Sequence, residues 1–351
     1  MDVTIKDIAK LAGCSHTLVS QVLRGSPNCR ASRETRMKIL RLSCELNYRP
    51  NRLARRLRGG SSGIIFVLGR YCPAPGHQLV ISVITEKLSA QGCQVFQAQT
   101  TSDEDTRHLI GEFTELGGEG IISCYTHYVP PADAPFPSVI LSDYDAVPHD
   151  LGIQTEAGSR LLTQHLVEHG RRRIGFVGIG AWSFGELYRG IEQVLDSSGI
   201  RKRWKFDLHF DVEGLTRLLK VLRRDRIDAL ICQNDYVAGK LIAVLAEQGI
   251  RVPDDVAVVG SDAMSFAEFT RPPLTSTIYP YRELGEEAAA LMLARIRKTP
   301  YSHRLPHLLK PELFIGGSCG CAVRPTTRLY TLIPPPTLRE KMLEEAALRM
   351  E

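Results

Sequence analysis

Along the first 25 residues, apolar and polar positions alternate at the spacing of two short helices joined by a glycine corner. Ile5, Ile8, Ala9 and Ala12 repeat at helical intervals, Thr4 can cap them with Asp7 as its capping-box partner, and Gly13 closes the helix as a left-handed cap. Ser15 caps a second helix whose apolar side is Val19, Val22 and Leu23. Its other side carries His16, Thr17, Ser20, Gln21 and Arg24, and the segment ends at Gly25. A third helix opens at Ser32-Arg33-Glu34-Thr35-Arg36, with Ile39, Leu42 and Leu46 placed to close a three-helix core. Such corners are common in all-α domains, but a short helix with a wet, hydrogen-bonding and basic face also suits the major groove of DNA.

From residue 63 the pattern changes to apolar runs alternating with helical stretches. Strands are expected at 63–69, 93–99, 120–124 and 138–142, with helices at 79–90 and 104–116 between them. A second series follows: helix 156–169, strand 173–178, helices near 190–197 and at 213–223, strand 228–232, helix 237–248 and strand 256–260. Two β-α-β series of similar size predict two doubly wound parallel sheets. Ligands of such sheets bind beyond the carboxyl ends of the strands, so a cleft between two lobes is the expected site.

Charge separates the same two regions. Residues 1 to 61 hold 13 lysines and arginines against four acids, whereas the whole 351-residue chain carries only +5. The basicity is therefore a local footprint for a polyanion. An anionic membrane would need that charge paired with exposed Trp, Phe or Leu on one helix, which is absent here. Nucleic acid fits better.

The N-terminus lacks the apolar stretch of a signal peptide, and no apolar run approaches membrane-spanning length, so a cytoplasmic location is expected. In that compartment most of the nine cysteines read as small core residues. Cys319-Gly320-Cys321 offers two metal ligands with no second pair nearby in sequence. His165-Leu166-Val167-Glu168-His169 fits the H-x-x-E-H string of some zinc proteases, but packed and surface histidines explain it as well, and no metal is expected. Gly178-Ile179-Gly180 begins like a dinucleotide loop, yet the next glycine, Gly185, comes too late. Nothing argues for catalysis, and no cofactor is expected.

After the third helix come Asn47-Tyr48-Arg49-Pro50-Asn51, then Arg52-Leu53-Ala54-Arg55-Arg56-Leu57-Arg58, then Gly59-Gly60-Ser61-Ser62-Gly63. Together with the helical pair these resemble the headpiece and hinge of the LacI/GalR family of bacterial transcription regulators. The ordered pieces are VT-x-x-D-x-A-x-x-A-G-x-S, VS, S-x-x-TR and LNY-x-PN-x-x-A-x-x-L, with one apparent extra residue in the 25–31 turn. Further matches are 158–166 with Gly170-Arg171-Arg172-Arg173-Ile174, Asp228-Ala229-Leu230-Ile231 with Asn234-Asp235, 252–260, Asp262 and Pro272-Pro273-Leu274-Thr275. Likeness runs from about residue 3 to 320 and is weakest over 70–135.

The resemblance implies a three-helix helix-turn-helix headpiece at 1–49 and a hinge helix with linker at 50–62. It implies a two-lobed core similar to periplasmic sugar-binding proteins. One lobe would take 63–155 plus about 281–308, the other 156–280 plus about 309–325, leaving a Pro-containing tail at 326–351. His16, Thr17 and Gln21 would then meet base edges, and Thr4, Ser15, Ser20, Arg24 and Thr35 phosphates. Ser32, Tyr48, Asn51, Ala54 and Arg58 would also face DNA, with Leu57 as the wedge that a hinge helix drives between base pairs. Gln21 stands where the family has a guanine-reading Arg, and Gln pairs best with adenine.

Asn234, Asp235 and Asp262 follow strands of the second lobe and are expected in the interlobe cleft, where carboxylate and amide suit vicinal hydroxyls. Asn234 and Asp235 have a competing use as caps of the helix beginning near Tyr236, a stronger one for Asp235. The family's effector-binding Arg falls at Leu187, with Arg189 displaced by two positions. A neutral carbohydrate is therefore the expected effector, stacked on Trp182 or Tyr125. The chain reads as a homodimeric, operator-binding regulator, with a tetramer through the 337–351 stripe as the lesser expectation. The alternatives are a regulator without small-molecule control, or a sugar-binding or sugar-modifying α/β protein.

Overall fold

A computed structural model describes residues 3–23, 29–48, 62–70, 75–126, 129, 134–143, 147–180 and 185–323. Arg24, the hinge positions Asn51, Ala54, Leu57 and Arg58, Trp182 and the 326–351 tail lie outside the described residues. The chain forms two compact units, one taking residues up to Gly63 together with Glu112–Glu119, the other taking the rest.

In the first unit three helices, α1 (Ile5–Ala12), α2 (His16–Leu23) and α3 (Arg33–Glu45), enclose Ile8, Ala9, Ala12, Val19, Val22 and Ile39. Their ends are set by local chemistry. Thr4 donates to Asp7 from its amide (2.8 Å) and its hydroxyl (2.7 Å), and Gly13 at φ 69° lets Cys14 N–H return to Ala9 O at 3.0 Å. Ser15 accepts from Leu18 N at 3.2 Å, and Ser32 accepts from Thr35 N at 3.1 Å.

The second unit holds two six-stranded sheets. The first is built from β1 (Ile64–Arg70), β2 (Gln94–Thr100), β3 (Gly120–Cys124), β4 (Ser138–Leu141) and β5 (Leu151–Ile153). Helices α4 (Pro75–Ala90) and α5 (Asp103–Glu115) connect its early strands. After β5 the chain runs through α6 (Thr155–Glu168) into the second sheet. That sheet contains β6 (Ile174–Gly178), β7 (Trp204–Asp207), β8 (Ala229–Cys232), β9 (Ala257–Ser261) and β10 (Thr275–Ile278). Helices α7 (Glu186–Ser197), α8 (Val212–Asp225) and α9 (Asp235–Glu247) alternate with them. The chain then returns to the first lobe as α10 (Tyr281–Arg297) and β11 (His307–Leu309), and ends the second sheet with β12 (Glu312–Phe314).

Spatial order is β11-β5-β4-β3-β1-β2 in one sheet and β12-β10-β9-β8-β6-β7 in the other. All recorded pairings are parallel except β10 with β12. Strands β3, β6, β8 and β9 are buried along their whole length, as parallel sheets covered on both faces require. The chain passes between the lobes at residues 154, 279–280 and 310–311. Two of these passages are laced together: Gln154 N donates to Leu309 O at 3.0 Å, and its side-chain amide donates to Leu308 O at 3.1 Å.

Several elements are additions to the apolar pattern. Strands β5, β7, β10, β11 and β12 and helix α10 were not expected from it, and α4 starts four residues early, at Pro75, a residue preorganised for a first helical turn. The Gly178–Gly180 loop is no phosphate cradle. Ile179 N donates to Gln233 Oε1 at 2.6 Å and Gly180 N to Asp207 Oδ1 at 2.8 Å, so side chains hold the amides a pyrophosphate would need.

Candidate functional site

The headpiece presents Ser15, His16 and Thr17 in the open at the start of α2, with Ser20 and Gln21 half-buried one turn on. Burial of Val19 and Val22 on the opposite side fixes this orientation. Three hydroxyls expected to face DNA are engaged locally: Thr4, Ser15 and Ser32 serve the first turns of α1, α2 and α3. Thr35 shares a 2.9 Å hydrogen bond with Ser32, and half-buried Tyr48 packs on the three-helix core.

In the second unit, chemistry gathers around Asp262, at the carboxyl end of β9. Its backbone stands at φ 99°, outside the usual range for a residue with a side chain. Tyr281, at the start of α10, donates to Asp262 Oδ1 at 2.8 Å. Burial pushes the Asp262 carboxyl up to about 7, against the opposing pull of the Tyr281 hydrogen bond and His77, while Asp143 adds to the rise. His77 stacks on Tyr125 with ring centroids 3.6 Å apart and 10° between planes, and its Nε2 lies 3.8 Å from Asp143 Oδ2. Tyr279 meets Tyr281 edge-on at 5.9 Å. One carboxylate of the second lobe thus faces an aromatic and ionisable group from the first.

Beside this cluster lies a cavity of about 170 Å³ lined from both lobes by Ser142, Asp143, His149, Gln154, Thr155, Glu156, Arg160 and Glu186, among others. Arg160 Nη1 lies 3.3 Å from Glu156 Oε1. Arg189 pairs with Glu156 at 3.5 Å and with Glu186 at 3.2 Å. Its guanidinium is committed to acids of the cavity wall and does not stand as a bare anchor.

The expected ligand residues separate into two groups. Asp262 and Tyr125 sit in the interlobe cluster. Asn234 does not extend into it as expected, because its Oδ1 caps α9 by accepting from Val237 N at 2.9 Å. Asp235 differs more. It is fully buried, accepts from Met264 N at 2.7 Å and from the Ser276 hydroxyl, and is not part of that cavity's lining. Burial first, and the neighbouring Asp262 charge second, push its carboxyl well above the usual carboxylate range. The two capping assignments are exchanged because the helix starts one residue earlier than its apolar pattern suggests.

Comparison with known proteins meets this geometry. Residues 4–51 match the model of bacterial regulatory proteins, lacI family, and residues 163–319 match a periplasmic binding protein-like domain. The HTH-type transcriptional repressor PurR of Pasteurella multocida is 30% identical over 336 residues, covering 90% of this chain and 98% of its own length. The chain belongs to the lacI family. PurR of Mannheimia succiniciproducens is 28% identical over 332 residues, 90% of this chain and 98% of that protein. The Lac repressor dimer bound to operator and the anti-inducer ONPF has the same fold, with TM-score 0.75 and 23% identity over 91% of this chain and 99% of that one. The transcriptional regulator CelR in complex with cellobiose has TM-score 0.62 and 27% identity over 90% and 99%.

Within this lacI-family chain, pattern reading missed His77, Asp143, Glu156, Arg160, Tyr279 and Tyr281. His77 and Asp143 lie in or near 70–135, where family likeness is weakest. Tyr281 carried one legible signal, an aromatic three residues past the last β10 position at a chain crossing.

Proposed function

We propose that this lacI-family chain is a transcriptional repressor that binds operator DNA as a homodimer, its affinity set by a small neutral polyhydroxylated ligand between the lobes. The assignment takes 1–49 as DNA-binding headpiece, 50–62 as hinge, 63–155 with about 281–308 and 156–280 with about 309–325 as lobes, and 326–351 as tail. The observation that carries the ligand class is the lining of the interlobe cavity. Asp143, Glu156 and Glu186 make it rich in hydrogen-bond acceptors, while Arg160 and Arg189 are occupied by Glu156 and Glu186. Such a wall suits hydroxyl donors and disfavours an anion. The cellobiose complex of CelR is in keeping with this class. Asp262, Tyr125, Arg189 and Trp182 are the ligand-side residues of this proposal. Asn234 and Asp235 support the site from behind.

A planar nitrogen heterocycle is the second reading, favoured by the cluster of His77, Tyr125, Tyr279 and Tyr281, since bases stack on aromatic faces. Selection of genomic fragments bound by the intact protein supplies an operator. Release or tightening on that operator is then measured with mono- and disaccharides and with purine bases. A response to a sugar alone supports the first reading, a response to a base alone supports the second, and no response to either removes small-molecule control.

Base reading has its own test. Gln21 is expected to face an A·T pair, so Gln21→Arg should move preference toward G·C at that pair by about 1–3 kcal/mol. Unchanged preference in the same selection would remove Gln21 from the readout.

A further inference from the structure

The histidine pair of α6 and the Cys-Gly-Cys segment after β12, 150 residues apart in sequence, come together on the second lobe. His165 Nε2 stands 3.6 Å from Cys321 Sγ, and one ligand atom each from His165, His169 and Cys321 lie within 4.8 Å of one another. The neighbouring Cys319 sulfur receives the Thr275 hydroxyl at 3.1 Å and lies 3.6 Å from the Gly316 carbonyl oxygen. Two imidazole nitrogens and the Cys321 sulfur thus meet at one point, with Cys319 beside them but engaged by Thr275.

We propose that His165, His169 and Cys321, with a solvent molecule as fourth ligand, bind a borderline-soft divalent cation of the Zn²⁺ type. The donor set is the first reason, since two imidazoles and a thiolate are the nitrogen and sulfur ligands that Zn²⁺ takes in tetrahedral geometry, a solvent molecule filling the fourth position. Spacing is the second. With Zn–S near 2.3 Å and Zn–N near 2.1 Å, a tetrahedral N···S edge is about 3.6 Å, the separation His165 and Cys321 already have.

The surroundings hold the ligands in suitable states. His169 Nδ1 lies 2.8 Å from the His165 carbonyl oxygen, which can only accept, so Nδ1 carries the proton and Nε2 keeps its lone pair for a metal. The cysteine turn is fixed independently. Gly320 at φ 97° makes the reversal, its N–H donates to Gly317 O at 3.0 Å, and Arg171 Nη2 donates to the Cys319 carbonyl at 3.4 Å. Arg171 also donates to Asp228 O at 3.0 Å and Pro253 O at 3.3 Å, clamping the turn to the lobe. His169 is exposed and Cys321 half-buried, which gives a cation its entry path. A bound ion would staple this turn to the end of α6.

The test uses the intact protein, reduced and stripped of metal with a chelator, and Co²⁺ as the probe. Expected is a tetrahedral Co²⁺ spectrum with thiolate charge transfer, saturating at one ion per chain and displaced by Zn²⁺. Cys321→Ser should abolish the charge-transfer band. His169→Gln alters an exposed side chain, and it should weaken Co²⁺ by more than the roughly 10- to 100-fold that loss of a supporting partner costs. Circular dichroism checks that both variants fold. A wild-type protein without the tetrahedral spectrum overturns the proposal, as does an unchanged spectrum in folded His169→Gln.

Discussion

Ile39→Ala is expected to abolish operator binding while leaving the two-lobed unit folded. Ile39 is fully buried at the centre of a cluster with five other buried residues among the described ones, drawn from all three helices of the headpiece. Deleting three carbons from a filled core costs about 2–5 kcal/mol. A domain this small rarely has more than about 3–5 kcal/mol in hand. The headpiece should therefore be largely unfolded at 25 °C, and each 1.4 kcal/mol of deficit lowers operator affinity about tenfold. Thermal unfolding should show the transition of the larger unit in place. Wild-type operator affinity in the variant would mean that the three-helix core is not what holds α2 in shape.

Asp262→Asn is expected to stabilise the protein at pH 8 and to remove its response to the effector. The carboxyl lies at about 7 in the folded chain against 3.8 in the ordinary case, raised first by burial. Between about pH 4 and 7 the folded state consequently binds more protons than the unfolded one. Stability falls as pH rises through that window and levels off above it. Asparagine keeps an oxygen for the Tyr281 hydroxyl and never carries the charge, so the penalty of ionising a buried acid disappears. At about 1.4 kcal/mol per unit of displacement, the gain at pH 8 is of the order of a few kcal/mol. Urea midpoints at pH 5 and pH 8 measure it. The difference between the two should shrink in the variant without vanishing, because buried Asp235 contributes in the same direction. A variant less stable than wild type at pH 8 would place the Asp262 charge among stabilising interactions.

What was legible in the sequence was local. Thr4 with Asp7, Gly13, Ser15 and Ser32 act within four residues of themselves, so helices α1, α2 and α3 could be read with near-correct ends. Long buried strands showed themselves as Val- and Ile-rich runs. Strands β5, β11 and β12 have three residues each, too few for any period to appear. Their pairing is decided by the sheets around them. The exchange between Asn234 and Asp235 turned on a one-residue shift of a helix start, which composition does not resolve. Asp262 was legible by its place after a strand. Its partners His77, Tyr125, Asp143 and Tyr281 come from four separate segments, and only folding brings them together. The same holds for His165 and Cys321.

The three passages between the lobes have a mechanical consequence. A single covalent strap would let one lobe twist, slide and tilt against the other. Here one passage is hydrogen-bonded to another through Gln154 and Leu309, and the Tyr279 hydroxyl lies 3.5 Å from Thr155 O beside the same seam. A seam sewn at several points behaves as a door hinge, stiff to shear and torsion and soft about one axis. Whatever closes on the Asp262 side is thereby converted into one rotation, and a weak grip by a small molecule need not be divided among several directions of movement.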